Sequence, residues 1–160
     1  MWDYMNNDYQ RIVEFDMRNR QHSFNNRDKR DKWVFQMVKG VGTDILSIQR
    51  IRNILEGDSE AFIRHSFTTK EKEEASGRTS PVAYYATRFA GKEAVFKCFG
   101  IDGDEFRLTE IEILGSETEQ PQVSLLGKIK EIAVKKEIKD VRISLSYETE
   151  YAVAFAIAQN

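Results

Sequence analysis

The chain has 160 residues, 24 basic and 26 acidic, for a formal net charge of −2; this size suits one domain, or one domain plus an arm, and the balance argues against binding nucleic acid through bulk positive charge. A single cysteine, Cys98, and two histidines, His22 and His65, exclude an internal disulfide, a cysteine-rich zinc site and a multi-histidine metal site. No apolar stretch approaches the ~18 residues of a membrane span, and the opening Met-Trp-Asp-Tyr lacks the basic and apolar regions of a secretory signal, so a cytoplasmic setting is expected.

Composition changes near residue 37. Residues 1–36 hold no Gly or Pro, and their apolar side chains (Trp2, Tyr4, Ile12, Val13, Phe15, Trp33, Val34, Phe35) follow no helical or strand period. They read as an N-terminal extension, loosely ordered or partly helical, ahead of a folded domain over 37–160. Residues 37–43 alternate around Val38 and Val41 with two glycines, which predicts a buried strand approached closely by backbone or ligand. Ser47 can open a helix with Ile48, Ile51, Ile54 and Leu55 as its apolar stripe and Gly57 as its stop. Thr68 and Glu71 have the spacing of a capping box before a short polar helix. Ser80-Pro81 and Gly100 bracket a long helix over 81–99, with proline at the first helical position and glycine beyond the last. Strands follow near 108–114 and 121–126, then a helix over 127–138. Strands over 141–147 and 150–158 are joined by a tight turn at Glu148-Thr149. This order predicts an α+β fold, a small antiparallel sheet packed against a long central helix.

The long helix carries an anomaly. Val82, Tyr85, Ala86, Phe89, Ala90 and Phe96 form one stripe, and Glu93 falls on it. A carboxylate on an apolar face is costly unless it is paired or holds a metal. Glu93 can pair with Lys97 one turn on, as on many helix surfaces, or belong to a site. Arg88, Lys92 and Lys97 around it read either as a solvated basic face or as cations for a phosphate or diphosphate, with the carboxylate on Mg²⁺. Asp44, after Gly40-Val41-Gly42-Thr43, is either a turn or N-cap residue or the second carboxylate of such a site, since Mg²⁺ beside a diphosphate uses only one or two. The Gly-x-Gly is no dinucleotide fingerprint, because it lacks the third glycine and sits inside the strand. His65 reads as a surface residue, and Cys98 as a small core hydrophobe.

Val-Gly-Thr-Asp-Ile (41–45) and Arg-Phe-Ala-Gly-Lys-Glu-Ala-Val-Phe-Lys-Cys-Phe-Gly (88–100) resemble the two signatures of the holo-acyl-carrier-protein synthases, the small phosphopantetheinyl transferases. The likeness runs on through Phe67-Thr68 with Glu71, Ile111-Glu112-Ile113 and Ile143–Ser146 to Tyr151-Ala152, and so spans about 37–158. The resemblance implies transfer of 4′-phosphopantetheine from coenzyme A to a serine of an apo acyl carrier protein, with release of adenosine 3′,5′-bisphosphate. It implies Asp44 and Glu93 as Mg²⁺ ligands, and Asp44, Glu93 and Lys97 as the catalytic set. Arg88, Lys92, Lys97 and Gly100 would meet coenzyme A, and Arg50, Arg52 and Arg64 the acidic helix of the carrier. It implies a homotrimer with active sites between protomers. The chain departs from the family where Tyr147 replaces a common histidine, where Gly100-Ile-Asp-Gly103-Asp replaces a glycine-rich loop, and where Glu119-Gln120-Pro121 replaces a lysine-containing turn. Two other readings compete: a catalytically inactive relative that binds coenzyme A or a carrier protein, and an RNA-associated protein using the arm at 1–36. The second is disfavoured by the overall acidity and the lack of an RNA motif.

Overall fold

The protein is described by a computed structural model over residues 37–101, 106–115 and 119–160; the expected extension over 1–36, Asp102 and Asp104 lie outside these residues. In chain order come β1 (Val38–Ser47), α1 (Ile48–Glu56), α2 (Ser59–Ser66), α3 (Thr69–Ser76), α4 (Pro81–Phe99), a 3₁₀ turn (Leu108–Glu110), β2 (Ile111–Leu114), β3 (Gln122–Leu125), α5 (Gly127–Lys135), β4 (Asp140–Tyr147) and β5 (Tyr151–Gln159). β1, β5 and β4 form an antiparallel sheet in that order, and β2 pairs with β3 in a second, two-stranded sheet. The α+β expectation holds, with two small sheets where one was expected, and α4 packs on strands of both.

The long helix begins and ends where its punctuation predicts. The Ser80 hydroxyl accepts from the Ala83 amide, Pro81 occupies the first turn, and Gly100 closes the helix in the left-handed region at φ 55°. Such a φ suits glycine, which has no Cβ to clash. The capping box of α3 is complete: Thr68 Oγ1 accepts from the Glu71 amide and the Thr68 amide donates to Glu71 Oε2. α1 also forms as expected, with Ile48 and Ile51 buried and Gly57 at its end.

The core lies between α4 and the sheets. Ala90, Ala94, Val95, Cys98 and Phe99 of α4 meet Ile111 and Ile113 of β2, Ile143 of β4, and Ala154, Ala156 and Ala158 of β5. Alternation along β5 turns every alanine inward and Tyr151, Val153 and Phe155 outward. Small inward side chains let the helix lie close to the sheet.

Three expectations are corrected here. Val38 and Val41 are not the buried face of β1: they are 60 % and 55 % exposed, whereas Gly42 is buried. The strand also continues through Asp44 to Ser47, so Asp44 is a strand residue opposite Ala154 and caps no helix. On α4, Ala86 and Ala90 of the expected stripe are buried, but Val82, Tyr85, Phe89, Glu93 and Phe96 are only half-buried, and Ala83, Gly91, Ala94 and Val95 beside the stripe go deeper. The helix is enclosed on more than one side, so its smallest side chains take the tightest contacts. Two further differences are local. α2 is not among the expected elements, being eight residues long with five of them polar. α5 ends at Lys135 rather than 138, because Glu137 takes φ 58°.

Candidate active site

Two glycines bring the first carboxylate to the helix. A Cβ on Gly40 would stand 1.9 Å from the Cys98 carbonyl oxygen, and one on Gly42 would stand 2.0 Å from that of Ala94. Only a strand without side chains there can lie directly on α4. This is the close backbone approach expected of that Gly-x-Gly. Asp44, two residues beyond Gly42, falls on the same strand face and meets the end of the helix.

Lys97 Nζ donates to Asp44 Oδ1 at 2.8 Å and to the Thr43 carbonyl at 3.0 Å. The surface pair Glu93–Lys97 is therefore not the one formed. Glu93, one turn before Lys97 on the same helix face, receives no hydrogen bond from any described residue. Its carboxyl is pushed above the usual carboxylate range, first by burial and then by the negative charge of Asp44, with Lys97 opposing. Two acids thus lie near one lysine, and of the two only Asp44 is hydrogen-bonded to it. Both acids line a cleft of about 580 Å³, with Ile51, Ile54, Phe62 and Phe89 as an apolar wall and Arg50 as its cation.

This donor set fits a magnesium ion bound beside a diphosphate. Among the described residues no group of three or more His, Cys, Asp or Glu side chains could hold a metal, and a lone pair of carboxylates matches an ion that takes its other ligands from phosphate and water. Burial raises Glu93 first, and the Asp44 charge that adds to it is what a divalent cation would neutralise.

The other expected site residues are dispersed. Lys92 is fully buried: Nζ donates to Glu71 Oε2 at 2.7 Å, to the Ile111 carbonyl at 2.6 Å and to the Leu108 carbonyl at 3.1 Å. All three donors are spent inside the protein, on Glu71 and two backbone carbonyls, and Lys92 lines neither the Asp44–Glu93 cleft nor the Arg88 cavity. Burial pushes its ammonium below the usual lysine range, and Glu71 partly offsets this. Arg88 lines a different cavity of about 500 Å³, with Arg78, Tyr84 and Tyr147, sharing no lining residue with the Asp44–Glu93 cleft. Gly100 is exposed, with open space beside it. Arg50, Arg52 and Arg64 are all exposed, and Arg50 alone reaches the cleft. His65 is exposed. Cys98 is buried and its thiol is pushed up to about 11, so it is a core residue.

The sequence model of the 4′-phosphopantetheinyl transferase superfamily matches residues 40–156, which hold both carboxylates and the whole of α4. A holo-(acyl-carrier-protein) synthase from Caldanaerobacter subterraneus subsp. tengcongensis is 40% identical over 118 residues, covering 74% of this chain and 92% of the relative. The chain belongs to the holo-(acyl-carrier-protein) synthases. The crystal structure of the synthase from Neisseria meningitidis matches with a TM-score of 0.70 at 31% identity, over 78% of this chain and 100% of that one. The synthase from Bacillus anthracis, solved in complex with CoA (3′,5′-ADP), matches at 0.64 and 28% identity, over 78% and 98%.

Several residues of this synthase gained meaning only from the structure. Glu71 reads in sequence as a capping-box acid; it also receives Lys92 and the Ile113 amide, and is fully buried. The cleft wall uses Phe62 of α2, a helix not among the expected elements. Arg78 and Tyr84 carry no motif, yet they share a cavity with Arg88.

Proposed function

We propose that the protein transfers 4′-phosphopantetheine from coenzyme A to a serine hydroxyl of an apo acyl carrier protein, in a magnesium-dependent reaction that releases adenosine 3′,5′-bisphosphate. The supporting observation is the convergence of Asp44 and Glu93, distant in sequence, on one cleft beside Lys97 and Arg50, in a chain of the synthase family.

Asp44 and Glu93 would hold the ion, which supplies charge neutralisation to the diphosphate when bound. Lys97 keeps the Asp44 carboxylate fixed on β1 and brings positive charge to the same place. Glu93, with no described hydrogen-bond donor and a raised proton affinity, is the acceptor for the serine proton, directly or through water. The serine oxygen forms a bond to the phosphorus bearing the pantetheine arm, and the bond to the adenosine 3′,5′-bisphosphate breaks. Positioning and charge stabilisation do the work, as in phosphoryl transfer generally. Arg50, with Arg52 and Arg64 nearby in sequence, offers exposed positive charge to an acidic carrier.

In this reading the active form is a homotrimer with sites between protomers. Support comes from the outer face of the larger sheet, where Val41, Ile45, Tyr151, Val153 and Phe155 are 39–64 % exposed on adjacent strands. A contiguous apolar face of this kind is the mark of an interaction surface. A site shared between protomers also reconciles Arg88 with the carboxylates, since one protomer holds them in separate cavities. In this reading residues 37–160 carry the reaction, supported by the family match, which lies wholly within them.

The test is the mass of an apo acyl carrier protein after incubation with the protein, coenzyme A and Mg²⁺. A gain of one phosphopantetheine, lost on chelation of the metal, is expected. Binding of coenzyme A without transfer would overturn the reading in favour of an inactive relative.

A further inference from the structure

Behind the Arg88 cavity, both arginines that line it are held by one carboxylate. Glu74 Oε2 accepts from Arg78 Nη2 at 3.2 Å and from the Tyr84 hydroxyl at 3.1 Å, and lies 3.9 Å from Arg88 Nη2. Glu74 Oε1 accepts from the Gly115 amide at 3.2 Å, and the Gly115 carbonyl accepts from Arg88 Nη2 at 3.0 Å and from Arg78 Nη2. Arg88 Nε donates to the Ile113 carbonyl at 3.1 Å. Both guanidiniums lie over the Tyr84 ring, at 4.5 Å for Arg88 and 5.3 Å for Arg78. Each is thus fixed through Nη2, and Nη1 of each has no hydrogen-bond partner among the described residues.

Glu74 does not line this cavity; it faces the neighbouring cleft, so the arginines stand between it and the cavity. Two cations held side by side, with N–H groups to spare, form an anion site for a phosphate. Glu119 is the acid on the cavity lining.

We propose that Glu74 is a positioning residue for coenzyme A: it holds Arg78 and Arg88 against the Tyr84 ring so that their unspent N–H groups meet a phosphate of the substrate. This rests on the reading above, in which Arg88 contacts coenzyme A. Two opposing effects follow from removing Glu74. Loss of its charge strengthens the attraction of the arginines for an anion, whereas loss of its hydrogen bonds frees Arg78 and loosens Arg88, which it holds across 3.9 Å and through the Gly115 backbone, and so restores part of the entropic cost of orienting them. The geometry points to orientation as the larger effect, because one carboxylate accepts hydrogen bonds from three groups and lies 3.9 Å from the guanidinium of Arg88.

The experiment compares Glu74→Ala, Glu74→Gln, Tyr84→Phe and Arg88→Gln in the full-length protein, with melting temperature followed in parallel. Glu74→Ala should raise the KM for coenzyme A about tenfold, the scale of one charged hydrogen bond, with kcat and the KM for carrier protein unchanged. Glu74→Gln keeps the shape and an acceptor and should recover most of the loss. Tyr84→Phe removes only the hydroxyl that meets Glu74; its smaller rise in the same KM keeps the test alive if Glu74→Ala fails to fold. A KM unchanged or lowered in Glu74→Ala, with a raised KM in Arg88→Gln, overturns the role of Glu74 alone. A KM unchanged in both overturns the cavity reading and this proposal with it.

Discussion

Lys97 on α4 and Asp44 on β1 are 53 positions apart in sequence and 2.8 Å apart in space. Their contact sets the spacing between the strand that carries one carboxylate and the helix that carries the other. Removing either acid should act through the same ion. Glu93→Gln should lower turnover by about two to three decades, the effect of several kcal/mol of lost transition-state stabilisation. Asp44→Asn should match it, and the double variant should be little worse than either single one. Near-wild-type turnover of Glu93→Gln at saturating Mg²⁺ would refute the assignment.

The same substitution should raise stability. Burial and Asp44 lift the folded-state affinity of Glu93 for its proton above the ordinary value of 4.5. A raised carboxyl stabilises the fold while protonated, and that contribution is lost as pH rises from the ordinary value through the raised one. At neutral pH in metal-free buffer, Glu93→Gln should therefore melt above wild type, and Mg²⁺ with coenzyme A should stabilise the wild type more than the variant. A variant that melts lower in metal-free buffer would contradict the charge balance drawn for the site.

Gly42→Ala tests the packing of β1 on α4. Its Cβ would meet the backbone oxygen of Ala94, which cannot step aside as a flexible side chain could. Strand or helix must shift, at a cost of about 1–3 kcal/mol or more, and the shift moves Asp44 away from Lys97. Thermal melting and turnover should fall together; a variant with wild-type values for both would show that the strand does not need this approach.

Arg50→Glu should discriminate between substrates. Arg50 is exposed at the cleft that holds both acids, so reversing its charge should raise the KM for carrier protein about tenfold by replacing attraction with repulsion. The KM for coenzyme A should move far less, and added salt should weaken wild-type carrier binding in the same direction. Equal changes in both constants would place the carrier elsewhere.

Phe155→Asp places a charge in the middle of the exposed apolar sheet face, opposite Thr43 and beside Val41 and Ile45. Its neighbours on β5 are inward alanines, so the monomer core is untouched. Light scattering should show a trimer for the wild type and monomers for the variant. A variant that remains trimeric would move the interface to another face.

Boundaries were the most legible part of this sequence. Ser80-Pro81 and Gly100 delimit α4 because they act through the backbone of adjacent residues: a hydroxyl accepting an orphan amide, a ring that needs no donor, a residue that tolerates a left-handed turn. The capping box of α3 is local for the same reason. The two carboxylates were legible through their motifs, and Gly40 and Gly42 signalled a close approach without saying to what.

Tertiary structure decided which face of each element is inside and which cations are free. Periodicity marks Phe89, Ala90 and Phe96 as core, but α4 is covered on several sides, so space rather than hydrophobicity put Ala90, Gly91 and Ala94 in its tightest contacts and left the two phenylalanines half-buried. Lys92, Lys97 and Arg88 are equivalent cations in the sequence. In the fold, Lys92 is spent on Glu71 and two carbonyls, Arg88 is held over Tyr84, and Lys97 meets Asp44. A side chain's partner depends on groups dozens of residues away, and no local rule on propensity, capping or period contains that distance.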